Sequence, residues 1–170
     1  MPEKPLYNIS TVNDIISLPS QGPWATKSNG ELSVLFGLNY AELSEKFFHY
    51  EESELANIPQ DIRGLRSYRV DGLRNKSIGA NEWHRLRNEL VFIIKGSVKW
   101  TCEDVLGNKL DFILESTTGI WVTPFILHTY EALQDDTQIQ VIANTLFFPD
   151  DPATHDTYSA KDFKKLQKQY

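Results

Sequence analysis

The sequence predicts an all-β domain closed by a short C-terminal helix, and three observations predict it. From residue 31 the chain breaks into short runs rich in β-branched and aromatic residues, set apart by turn residues at roughly 8–12-residue spacing. Hairpin turns are signalled in "VLGNKL" around Gly107 and in "QDDTQ" around Asp135. The runs do not alternate with helical stretches, as parallel βαβ units require, so a sandwich or barrel is favoured.

The elements follow in order. Residues 1–30 carry X-Pro turns and "QGPWATKSNG", the texture of an arm rather than a core, with "STVNDIISL" as a short helix capped by Ser10. The strand candidates are "ELSVLFGL", "KFFHYEE", "LRSYRV", "ELVFIIKG", "SVKWTCED", "KLDFILES", "GIWVTPF", "HTYEAL" and "TQIQVIANTLFF". Helices are expected at "AELSEKF" and at "SAKDFKKLQKQY", where Ser159 supplies the cap. This gives an arm over 1–30 and one domain over 31–170.

Composition narrows the function. A chain of 170 residues with 41% hydrophobic content builds a full core without covalent staples. The single cysteine, Cys102, excludes an internal disulfide and a multi-cysteine zinc cluster, so any metal needs histidine and carboxylate ligands. A net charge of −6 speaks against nucleic acid. No run approaches the ~18 apolar residues of a membrane span, and "MPEKPLYNIS" lacks the basic and apolar regions of a signal peptide. A cytoplasmic protein with no membrane partner is the expectation.

The chemistry concentrates in "GANEWHRLRNELVFIIKG", residues 79–96. In a strand, Glu82 and His84 share a face, and Glu89 follows four residues after His84 at the mouth of an apolar run. Buried carboxylates and imidazoles need a partner or a ligand between them. A second block, "GIWVTPFILHTYEAL", opens at Gly119, turns at Pro124 and carries His128.

Together these blocks resemble the cupin superfamily, through Gly79, Glu82, His84, Glu89 and Gly96, then Gly119, Pro124 and His128. Glu82 stands where the first histidine is usual, and Ile126 where the second block often has glycine. The resemblance implies an RmlC-like jelly-roll barrel with Glu82, His84, Glu89 and His128 converging inside. Such a mixed N/O set suits Zn²⁺, Mn²⁺, Fe²⁺ or Ni²⁺, with no organic cofactor. In the alternative, the glutamates pair with Arg85, Arg87 or Arg74 and no metal is present.

Within cupins the chain is similar to the WxcM-like sugar 3,4-ketoisomerases, through "NGELSVLFG", "EWHRLRNELVFIIKGSVKW", "GIWVTPFILHTYEAL" and "VIANTLFFPDDPATHDTYSAKDF". That likeness implies a nucleotide-linked keto sugar as ligand and proton transfer between adjacent sugar carbons. Glu82, His84 and Tyr130 are then the candidate catalytic groups, and Arg74 and Tyr68 candidate substrate contacts. The family's arginine position falls on Gly79 and its first histidine on Glu82. A buried glutamate whose pKa is raised can serve as the base. A metal-dependent oxygenase and a non-catalytic carbohydrate-binding or regulatory cupin are the competing readings.

Other residues carry paired readings. Trp83 faces away from its two neighbours and packs in the core or at a dimer contact. Arg63, Arg66, Arg69 and Arg74 either hold a nucleotide diphosphate or are solvated edge charges. Thr154, His155 and Asp156 form either a second polar site or a loop in which Asp156 and Thr157 bond the backbone. His49 is structural. The arm suggests a homodimer.

Overall fold

The computed structural model describes residues 9–170. Two antiparallel five-stranded sheets face each other. The first runs in the order β1 (Ile16–Pro19), β9 (Thr118–Val122), β6 (Glu89–Lys95), β11 (Thr137–Thr145), β4 (Arg63–Leu73). The second runs β12 (Tyr158–Ser159), β5 (Ile78–Trp83), β10 (Leu127–Ala132), β7 (Val98–Glu103), β8 (Lys109–Leu114). A separate hairpin pairs β2 (Gln21–Ala25) with β3 (Glu31–Val34).

Alternation builds the core. Along β11, Thr137, Ile139, Val141 and Ala143 are buried, while the residues between them are partly exposed. Val91, Ile93, Val98, Leu114, Ile120 and Ile139 meet between the sheets. A β-carbon added to Gly119 would lie 2.6 Å from the Phe92 ring and 2.7 Å from the Val91 carbonyl, so β9 approaches β6 closely there only as glycine. The predicted turns form as read: Gly107 takes φ +85° and Asp136 takes φ +57°.

Two segments differ from expectation. "STVNDIISL" makes one 3₁₀ turn, Val12–Asp14, with the Thr11 amide donating to Asp14 Oδ2 at 2.7 Å. The β-branched pair that follows then enters β1, which pairs with β9, so the barrel takes in part of the segment read as an arm. "KFFHYEE" is not a strand. The Asn39 side chain accepts from the Glu42 amide at 2.9 Å and Glu42 returns a bond to the Asn39 amide at 2.8 Å, a capping box that starts the helical turn Glu42–Phe47. Phe47 is thereby buried against Trp121, and a short helix α1 (Glu52–Leu55) follows.

The closing helix α2 (Ala160–Gln167) forms as expected, the Ser159 hydroxyl accepting from the Asp162 amide. It lays Phe163 and Leu166 on Trp83, whose indole donates to the Ser159 carbonyl at 3.1 Å. Trp83 is therefore a core residue. No helix among the described residues is long and apolar enough to cross a membrane.

Gly119→Ala should lower stability by about 1–3 kcal/mol, because backbone and ring both have to yield. Urea unfolding checks this, with an unchanged midpoint as the contrary result.

Candidate active site

The barrel brings both predicted blocks to one point. Glu82 on β5 is the cross-strand partner of His128 on β10, and His84 lies just past the end of β5. From the facing sheet come Glu89, first residue of β6, and Tyr68 on β4. His84 Nε2 stands 3.6 Å from Glu89 Oε1 and 3.9 Å from Glu82 Oε1, and His128 Nε2 stands 3.5 Å from Glu89 Oε2. The imidazole centroids are 5.2 Å apart. His84, Glu89 and His128 are almost fully buried, whereas the Glu82 side chain is one-third exposed.

Each imidazole is oriented by its other nitrogen. His84 Nδ1 is 2.6 Å from the Asp156 carbonyl and His128 Nδ1 is 3.1 Å from the Ile126 carbonyl. A carbonyl only accepts, so Nδ1 carries the hydrogen and the Nε2 lone pair of each ring faces inward. Trp100 stacks on His128 at 5.6 Å and on Tyr130 at 5.6 Å, fixing the floor of the pocket.

The Glu89 carboxylate is compensated from within the protein. Tyr68 donates its hydroxyl to Glu89 Oε1 at 2.7 Å, and Arg87 Nη1 donates to the same oxygen at 3.4 Å. Burial alone would raise the Glu89 carboxyl, but the imidazoles, Arg87 and Tyr68 outweigh it and hold the group below the usual carboxylate range. Glu89 is therefore ionised, with a permanent cation beside it. Arg87 is itself buried and anchored, with Nε donating to Thr145 and Nη2 to Thr157. Its Nη1 also reaches 3.4 Å from His84 Nε2. Burial and this guanidinium push the His84 imidazole well below 6.5, so it is neutral at neutral pH.

The loop after His84 is held by Asp156, which is 1% exposed. Its carboxylate accepts from the backbone amides of Arg85, Leu86 and Arg87 at 2.8–2.9 Å. The segment read as either a second polar site or a backbone-bonding loop is the latter, and its bonds reach across to the active-site loop. Burial pushes the Asp156 carboxyl up to about 6 even against these donors.

Tyr130 lines the same interior, and burial followed by the charge of Glu82 raises its hydroxyl pKa. A β-carbon at Gly79 would fall 2.2 Å from Tyr130 Oη, so a side chain at position 79 is incompatible with this placement of the tyrosine. Arg74 is not brought to the group. It is exposed in the turn before β5, at the opposite end of that strand from His84. Of the arginines on β4, Arg63 and Arg69 face outward and pair with Asp61 and Asp71, while Arg66 points inward beside Tyr68. Arg66, Arg87 and Asp156 lie outside the predicted site set, although the sequence offered Arg66 as a diphosphate contact, Arg87 as a glutamate partner and Asp156 as a backbone-bonding loop residue. Alternation with Tyr68 was the available signal for Arg66.

For a divalent cation, Glu82, His84 and His128 offer ligand atoms that all lie within 4.8 Å of one another. Their donor chemistry, and the tethering of both Nδ1 atoms to carbonyls, fit such an ion. Glu89, expected as the fourth ligand, has one oxygen engaged by Tyr68 and Arg87.

No known family profile matches the sequence, and no curated protein matches it. Solved structures do. The sugar 3,4-ketoisomerase QdtA of Thermoanaerobacterium thermosaccharolyticum, in complex with TDP, superposes with a TM-score of 0.62 at 14% identity, covering 94% of this chain and 98% of that one. WlaRA, a TDP-fucose-3,4-ketoisomerase of Campylobacter jejuni, gives 0.59 at 17% identity over 91% and 96%. RmlC of Streptococcus suis, in complex with dTDP-D-xylose, gives 0.58 at 12% identity over 85% and 73%. The fold is the RmlC-like cupin barrel.

Replacing Asp156 with Ala strands three buried amides and should cost on the order of 3 kcal/mol or more, with Asp156→Asn, which keeps one acceptor oxygen, losing less. Chemical denaturation measures both; wild-type stability in the Ala variant would contradict the role given to this carboxylate.

Proposed function

We propose that this chain is an isomerase or epimerase of a nucleotide-linked keto sugar, moving a proton at a carbon beside the ketone. The observation that carries this reading is the pair of imidazole Nε2 lone pairs facing a common point beside a charge-compensated Glu89. The likeness to TDP-sugar ketoisomerases supports it and makes TDP the nucleotide to try first.

His84 is the base. Its neutral Nε2 takes the proton from the carbon next to the carbonyl, so that a C–H bond breaks, an N–H bond forms and an enediolate remains. The Tyr130 hydroxyl is the donor for the enediolate oxygen, and Arg87 lends positive potential without leaving its anchors. Return of that proton from His84 to the neighbouring carbon, with the hydroxyl proton of the carbon first deprotonated passing to the former carbonyl oxygen, gives the isomer; delivery of a solvent proton to the other face of the first carbon, with His84 releasing its own proton to solvent, gives the epimer. Glu82, partly exposed, accepts a ligand hydroxyl. Tyr68 is the positioning residue that keeps Glu89 in place.

A second reading is favoured by the three-donor group. Glu82, His84 and His128 would hold a divalent cation, which supplies Lewis-acid stabilisation of the enediolate oxygens. Metal analysis of purified protein and of the His128→Ala variant decides it: stoichiometric metal in the wild type and none in the variant favours this reading.

The enzyme functions as a homodimer. Hairpin β2–β3 is exposed along its whole length and presents Trp24, Leu32 and Val34, although an isolated two-stranded ribbon is marginal in water. Light scattering should return twice the 19.5 kDa chain mass, and a monomer mass would refute pairing.

Incubation with TDP-4-keto-6-deoxyglucose in D₂O tests the activity. Deuterium should appear at a carbon beside the ketone, and His84→Gln should slow this by about 10²–10⁴-fold. No exchange with any TDP-linked keto sugar would contradict the reading. The acid limb of kcat/KM should fall well below pH 6.5, since His84 resists protonation, and should move up toward 6.5 in Arg87→Gln.

A further inference from the structure

Among the described residues, Arg66 forms no direct ion pair, and the nearby charges of Glu89 and Glu82 act on it only from a distance. The other arginines of the barrel wall and the adjoining loop are matched: Arg63 with Asp61 at 2.9 Å, Arg69 with Asp71 at 3.0 Å, Arg85 with Glu54 at 3.0 Å and Arg87 with Glu89 at 3.4 Å. The Arg66 guanidinium has no hydrogen-bond or ion-pair partner among the described residues, and its Nε is shut off from solvent without an acceptor. A guanidinium stays charged at any ordinary pH, and a buried donor left unpaired is costly. Its place is nonetheless well defined. The guanidinium carbon lies over the Tyr68 ring at 5.0 Å and over the Phe147 ring at 5.2 Å. Phe147 in turn stacks on His155 at 4.5 Å, and that ring is tied to the Phe148 carbonyl at 2.8 Å.

The stack has a direction. Tyr68 at its inner end bonds Glu89 in the proton-transfer cluster, while Phe147 at its outer end is 46% exposed at the rim. Arg66 therefore stands between the reacting groups and solvent, held by aromatic faces that leave its N–H edge free. We infer that Arg66 anchors a phosphoryl group of the ligand, holding the nucleotide end at the mouth while the keto sugar reaches His84 and His128. This rests on the nucleotide-sugar reading above. A guanidinium with a free edge matches the paired oxygens of a phosphoryl group, and neither Glu82 nor Glu89, whose charges Arg66 feels, forms an ion pair with it.

Titration calorimetry on the full chain tests the assignment, with TDP as the charged probe and thymidine as the uncharged one. Arg66→Met keeps the apolar stem and removes the charge; Arg66→Lys keeps the charge and removes the fork; Arg69→Ala is the control on the outer face. TDP affinity should fall on the order of ten- to a hundredfold in Arg66→Met, by less in Arg66→Lys, and not at all in Arg69→Ala. Thymidine should bind all four proteins alike. Thermal melts establish that the variants are folded, and if Arg66→Met is not, Arg66→Gln takes its place. Unchanged TDP affinity in the Arg66 variants overturns the anchor and leaves the nucleotide-sugar reading intact. A wild-type chain that binds no TDP overturns both.

Discussion

The buried carboxylate of Glu89 is the constraint on which the rest of the structure depends. A charge sealed between two sheets must be matched inside the protein, and Arg87 with Tyr68 does this at the head of β6. The same guanidinium adds to burial, the larger cause, in holding His84 neutral, and the neutral ring keeps a bare Nε2. One ion pair thus serves both the charge balance of the interior and the reactivity at its mouth.

That pair is itself held in place from a distance. Arg87 sits on a loop whose amides are gathered by Asp156, and Thr157 fastens its guanidinium. Helix α2 closes over Trp83 immediately afterwards, so the C-terminal segment is a strap that fixes the active-site loop. On the other side, Trp100 supports His128 and Tyr130 from below. The reactive groups rest on strand ends, loops and stacked rings, while the central parts of the strands supply the apolar core. Arg66 extends this arrangement outward along the Tyr68–Phe147–His155 stack.

Much of this was legible because its determinants are local. Strand alternation and turn residues marked the β-runs, and the spacing within each block put Glu82, His84, Glu89 and His128 forward as a group that the barrel does bring together. Misreadings came where local signals competed. "KFFHYEE" is rich in aromatic residues and reads as a strand, yet the Asn39–Glu42 capping box was present in the sequence and wins. Arg74 was taken with its neighbours as one basic stretch, whereas alternation along β4 separates Arg66 from Arg63 and Arg69 and the turn carries Arg74 away. The partners of Asp156 were beyond reach for another reason: they lie about seventy residues earlier, and only the closed barrel brings them together. The state of Glu89 was likewise undecidable before the position of Arg87 was known.

Nitrogen-15 NMR of the histidine side chains tests the central claim most directly. At pH 6, where free histidine is largely protonated, His84 should show a protonated Nδ1 and a bare Nε2, the signature of a neutral ring held by the Asp156 carbonyl beside a cation. An imidazolium spectrum for His84 at that pH, or a hydrogen on Nε2 instead of Nδ1, would contradict the account.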